Sequence, residues 1–225
     1  MSVTHVADVS DSGNTADLDI ASVALTAGDL MVITIACGDG DSVDDIDWGS
    51  DLDAFTLVPN TIATNAGRGN SEIWAALGLT AGTRTVSIHM SGSGQIGGGA
   101  STFNDADFPT DGAAEDADAQ ASPQAIIVAN VTDDDYMIDA IMSQTNITPG
   151  GGQTEIFSFN LAGQRREASH QDGASDSGDG EMEWTYLGNS DIAHSACRIP
   201  MAAGGTTPKG PLGKIFHGPF AGPIS

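Results

Sequence analysis

Short runs of alternating apolar and polar residues, each closed by Gly, Asp, Asn, Ser or Pro, recur along the whole chain. Alternation with a period of two puts every second side chain on one face of an extended strand, so the pattern constrains the chain to an antiparallel β fold. Strands are expected over residues 3–9, 18–25, 30–37, 55–59, 72–77, 84–90, 99–103, 124–131, 136–142, 154–159, 164–170, 181–186 and 193–199. No segment carries a long, capped period of 3.6, so very little helix is expected. Turn signals separate the runs. Gly28 in Thr26-Ala-Gly-Asp29 and Gly82 in Thr80-Ala-Gly-Thr83 can take positive φ cheaply, and Thr132-Asp-Asp-Asp135 leads into the apolar run from Tyr136 to Met142.

Residues 39–53, 104–123 and 171–180 read as long polar loops. The second could pass for a linker dividing the chain near residue 110. A single domain is preferred, because each half would have too few strands to cover its own face. The expectation is an all-β, two-sheet antiparallel β-sandwich over residues 1–203, jelly-roll-like, followed by an extended C-terminal tail over residues 204–225. With 40% hydrophobic but only 5% aromatic residues, its core must come from Ile, Val, Leu, Ala and Met. Cys37 and Cys197 both sit in apolar runs and are read as buried free thiols, not as a disulfide framework.

Charge narrows the partners. The chain has 31 acids against 7 bases, a formal net charge of −24. Such a surface disfavours nucleic acid and anionic membrane. Lysine is absent from residues 1–200, which suits a protein adapted to high salt, where a Debye length of about 3 Å at 1 M screens self-repulsion. All 31 acids lie within residues 1–200, whereas residues 201–225 hold both lysines, Lys209 and Lys214, and no acid. No basic and apolar leader is read at the start, so no signal peptide is expected, and the apolar run 30–37 is too short to span a bilayer.

Several stretches carry a resemblance. They are Leu25-Thr-Ala-Gly-Asp-Leu-Met-Val-Ile-Thr-Ile35, then Trp48 and Phe55-Thr-Leu-Val58, then Glu72-Ile-Trp-Ala-Ala-Leu-Gly-Leu-Thr-Ala-Gly-Thr-Arg-Thr-Val-Ser-Ile88. Thr102-Phe-Asn-Asp-Ala-Asp107, Thr132-Asp-Asp-Asp-Tyr-Met-Ile-Asp-Ala140, Gly152-Gln-Thr-Glu155, Trp184 and residues 193–199 follow. Over about residues 15–203 the chain resembles the jelly-roll-like β-sandwich domains of bacterial surface proteins and tailed-phage structural genes. The resemblance implies architecture and an exposed, non-enzymatic role, and it transfers no functional residues.

The tail departs from that pattern. Pro208, Pro211, Pro219 and Pro223 exclude a regular helix, yet Leu212, Ile215, Phe216, Phe220 and Ile224 are too apolar for a solvated linker. With Lys214 they are expected to dock on a neighbouring subunit as spaced anchors on an extended segment.

Candidate chemistry is sparse. Asp39, Asp41, Asp44 and Asp45 could supply oxygens to a structural Ca²⁺, but the spacing is not that of an EF-hand and a solvated acidic loop is the plainer reading. No other cofactor is expected. His5, His89, His170, His194 and His217 are scattered, with no ligand pair on one element. The glycines from Gly92 to Gly99 read as a loop and a bulged strand. Trp74 and Trp184 fall in alternating runs and are expected in the core, whereas Trp48, after the acidic loop, is the candidate for an exposed ring stacking on a ligand such as a sugar.

These readings favour a structural virion protein, a capsid decoration, spike or tail component of a tailed virus with a marine or halophilic host. Its partners would be copies of itself and other virion proteins, and its place the virion surface after synthesis in the host cytoplasm. No catalytic residue is assigned. A carbohydrate-binding or adhesion module, meeting a host-surface glycan, is the alternative, and a polysaccharide-degrading enzyme the third.

Overall fold

The computed structural model describes residues 2–38, 41–173 and 178–203. Among them there is no helix. The strands of the first half are β1 (Thr4–Gly13), β2 (Asp17–Leu25), β3 (Leu30–Gly38), β4 (Val43–Trp48), β5 (Thr56–Leu57), β6 (Ala63–Asn65), β7 (Gly69–Leu77), β8 (Gly82–Met90) and β9 (Ile96–Asn104). Those of the second are β10 (Gly112–Ala121), β11 (Gln124–Val131), β12 (Tyr136–Ser143), β13 (Ile147–Pro149), β14 (Thr154–Leu161), β15 (Gln164–Asp172), β16 (Gly178–Tyr186) and β17 (Asn189–Ile199).

The chain is all-β and antiparallel as expected, but it forms four sheets where two were anticipated. In the first half an inner sheet runs β1-β9-β3-β7-β5, with β6 also on β7, and an outer sheet runs β2-β8-β4. In the second half the inner sheet runs β10-β17-β12-β15-β14 and the outer sheet β11-β16-β13. Strand for strand the two orders are the same. Within each half the outer sheet covers one face of the inner sheet.

Burial explains why there are four layers. Every residue of β3 and of β12 is buried, and β9 is buried from Ile96 to Phe103. Strands apolar on both faces need a cover on both sides. On one side of the first inner sheet, Ile33 and Ile35 meet Leu18, Ile20, Ile46, Trp48, Val86 and Ile88 of its outer sheet. On the other, Leu30, Val32, Ile73 and Phe103 meet Ile138, Ala140, Phe157 and Ile199 of the second inner sheet. Ile126, Val128 and Met182 of the last sheet close the stack over Met137 and Ala196. Each fully buried Ile or Leu contributes roughly 1.5–3 kcal/mol. Outer strands keep the one-sided alternation, as in β2, where Leu18, Ile20, Val23 and Leu25 are buried between exposed neighbours.

The run Gly97, Gly98, Gly99 lies inside β9 in regular register with β3 and β1. Its lack of side chains follows from compression on both faces. A Cβ at Gly97 or Gly99 would press on Phe157, while one at Gly98 would press on Ile88 and Leu18 of the outer sheet. Polar contacts add to the join between halves. Ser71 and Ser195 hydroxyls lie 2.6 Å apart, and the Arg166 Nε donates to the Gln95 carbonyl at 3.2 Å.

The lead-in turns repeat as well. The Thr26 amide donates to Asp29 Oδ2 at 3.3 Å and the Asp29 amide to the Thr26 carbonyl at 3.2 Å. Thr132 and Asp135 make the same pair of bonds at 2.9 and 3.0 Å. Each Asp locks the turn that aims the following central strand, β3 or β12. Cys37 and Cys197 are both buried and free.

Candidate functional site

Two clusters of potential metal ligands stand out among the described residues. The first lies where the halves meet. His5 and Asp8 come from β1 of the first inner sheet and His170 from β15 of the second. His5 Nε2 is 2.8 Å from Asp8 Oδ1, and His170 Nε2 is 3.1 Å from Asp8 Oδ2. Ser101 on β9 donates to the same carboxylate at 2.6 Å. The two imidazoles lie over each other with centroids 4.1 Å apart, and Phe103 and Tyr136 pack around them. His170 is buried, while His5 and Asp8 retain partial access to solvent, with side chains 21% and 19% exposed. Burial by itself would raise the Asp8 carboxyl, but hydrogen bonds from His170, His5 and Ser101 outweigh it and hold the group well below the usual carboxylate range.

The second cluster is on the outer face of the first half. His89 on β8 places Nδ1 2.7 Å from Asp17 and Nε2 3.3 Å from Asp47, with Asp45 at 3.8 Å. The hydrogen bond to Asp17 raises the His89 pKa above its usual value despite opposition from partial burial, and Asp47 and Asp45 add to the rise.

The aspartates expected to share a cation separate. Asp39 lies outside the described residues. Asp41 is buried, with its carboxylate seated where side chains at Gly92 and Gly94 would fall. Asp44 is exposed, and Asp45 turns to His89 instead. Residues 43–48 are not loop but strand β4, and a register shift between Val43 and Asp45 puts Asp45 and Asp47 on the outer face beside His89.

Trp48 corrects the expectation of an exposed ring. It has no solvent exposure, and its Nε1 donates to the Thr80 carbonyl at 2.8 Å. The alternation of Val43, Ile46 and Trp48 turns the indole inward, and the Arg84 guanidinium lies 5.7 Å from its centroid. Trp184 is core as expected, whereas Trp74 is only half-buried, bonded through Nε1 to Glu72 at 3.0 Å. The docking residues Leu212, Lys214, Ile215, Phe216, Phe220 and Ile224 lie outside the described residues.

Two buried groups escaped the sequence reading. Asp139, in the middle of β12, accepts hydrogen bonds from Trp184 Nε1 at 2.7 Å and from the Ser169 amide and hydroxyl at 2.8 Å, and His194 Nε2 lies 2.9 Å away. Asp139 and His194 are both fully buried. The network is saturated at the carboxylate and closed to solvent, which makes it structural. Glu167 on β15 is 1% exposed, and burial pushes its carboxyl up to about 7, against a hydrogen bond from Ser158. A shallow depression of about 120 Å³, lined by Asp111, Ile127, Asn130, Arg198 and Pro200 among others, is smaller than ordinary small-molecule pockets and holds none of these groups.

Compared with known proteins, the chain matches no family model, no curated protein sequence and no solved structure.

Proposed function

We propose that the chain is a structural component of a virion exterior, a capsid decoration, spike or tail protein of a tailed virus with a marine or halophilic host. The observation that carries this reading is a four-sheet block whose two outermost faces bear carboxylates. Asp17, Asp19, Asp45 and Asp47 lie on one outer sheet, and Asp179, Glu181 and Glu183 on the other. Such a block offers rigidity and solubility, the properties of a shell or fibre subunit. Each half is read as jelly-roll-like, because strand orders β1-β9-β3-β7 with β2-β8-β4, and β10-β17-β12-β15 with β11-β16-β13, alternate between two sheets as two Greek keys would. The apolar, lysine-bearing segment 204–225 then serves as the contact to copies of itself or to other virion proteins.

For the glycan-binding alternative, Trp48 is the candidate for an exposed ring, and its full burial removes that support.

Mass spectrometry of purified extracellular particles, with the copy number estimated, tests the reading. Tens to hundreds of copies per particle are expected, and deletion of residues 205–225 should leave cooperative unfolding intact while abolishing incorporation. Recovery of the protein only from the soluble fraction would overturn it.

A further inference from the structure

We propose that His5, Asp8 and His170 form a binding site for a zinc-class divalent transition metal ion, placed so that the ion clips the two halves together. The inference is independent of the virion reading.

The donor set is two imidazoles and one carboxylate, which suits Zn²⁺ and its neighbours Co²⁺ and Ni²⁺ better than Ca²⁺ or Mg²⁺, whose preference is for oxygen alone. Both Nε2 atoms face the same carboxylate, at 2.8 and 3.1 Å. Ligand atoms roughly 2.0–2.1 Å from a tetrahedral ion stand roughly 3.3 Å apart, and one ligand atom from each of the three residues already lies within 4.8 Å of the other two. The partial exposure of His5 and Asp8 leaves a path for entry and room for a water in the remaining position.

His170 is 3% exposed, and its Nε2 faces the carboxylate that His5 Nε2 also faces, so both imidazoles present the same ring nitrogen to one point. The ring is held in place by packing on His5 and Tyr136. Ser101 fixes Asp8 from β9, as outer partners fix metal-binding carboxylates.

Position gives the site its consequence. Two ligands belong to the first inner sheet and the third to the second, so separating the halves would dismantle the site. An ion bound only by the closed arrangement stabilises that arrangement by mass action.

The test uses the full chain, stripped with a chelator and titrated with Co²⁺, followed by displacement with Zn²⁺. One equivalent of Co²⁺ is expected to develop the visible d–d bands of a four- or five-coordinate nitrogen–oxygen site, and Zn²⁺ should abolish them. His5→Ala and His170→Ala should each weaken binding at least tenfold, and the Zn²⁺-dependent rise in melting temperature should vanish. His5 is partly exposed, so its variant keeps the test valid if the His170 variant fails to fold. His89→Ala, which removes the outer cluster, should change neither readout. Absence of saturable stoichiometric binding, binding that survives His5→Ala, or binding lost in His89→Ala would each overturn the proposal.

Discussion

The two halves repeat one strand order yet fill the space between their sheets differently. In the first half Ile33 occupies the middle of the central strand, paired with Trp74 on one side and Ala100 on the other. In the second, Asp139 holds the same place between Ser169 and Ala196. Gly98, opposite Ile35, is matched by His194, opposite Ile141. At this register one half buries an aliphatic side chain and the other a carboxylate surrounded by hydrogen-bonding partners. The same backbone thus tolerates either solution, provided that the buried carboxylate receives its hydrogen bonds.

Asp139→Ala against Ile33→Ala should break this comparison most sharply. Removing the Asp139 carboxylate strands the Trp184 N–H, the Ser169 donors and His194 away from water, and a loss of about 3–5 kcal/mol is expected. Ile33→Ala leaves a cavity and should cost about 2–4 kcal/mol. Chemical denaturation gives both totals, and native-state hydrogen exchange should place the first loss in β11–β17 and the second in β1–β9. Equal losses spread over both halves would mean that they unfold only as one unit.

Glu72 and Glu167 sharpen the comparison, since they face Ile35 and Ile141 at equivalent registers. Burial raises both carboxyls. Glu72 accepts bonds from the Val43 amide and the Trp74 indole, whereas Glu167 has one oxygen, Oε2, without a partner. A carboxyl whose folded pKa is raised destabilises the fold once it must ionise. The penalty from Glu167 therefore grows as pH rises from its ordinary 4.5 toward about 7 and is complete above that. Glu167→Gln should be more stable than the parent at pH 8 by about 1–3 kcal/mol and nearly equal to it at pH 4, with Glu72→Gln showing a smaller gain. A pH-independent difference in melting temperature would contradict this account.

Salt should act on the halves alike, because both outer faces are acidic. Raising NaCl from about 0.1 to 2 M is expected to stabilise the whole by about 1 kcal/mol as repulsion is screened. A flat response would remove the argument for a saline environment.

Much of the fold was legible in the sequence. Residues 124–131 are strand β11 to the residue, and the run 30–37 is β3 short of its last glycine. What escaped has a common physical cause. Strand β10, Gly112–Ala121, is an edge strand mostly exposed on both faces, so it has no apolar alternation to show, and its acids mimic a loop. In β4 three aspartates hid a buried stripe of Val43, Ile46 and Trp48. The duplication leaves a short trace in the sequence, Thr-x-x-Asp followed by Leu-Met-Val at Thr26 and by Tyr-Met-Ile at Thr132. The meeting of Asp8 with His170, 162 positions apart, follows from sheet stacking and leaves no local trace.

The like-charged outer sheets also govern how copies of this block meet one another. Both ends of the stack carry carboxylates, so two molecules approaching end to end repel, and growth into piled columns is suppressed in dilute salt. The flanks are acidic as well, with Glu115, Asp116 and Asp118 exposed along edge strand β10, so copies of the block repel in every orientation until salt or a specific contact overcomes the charge.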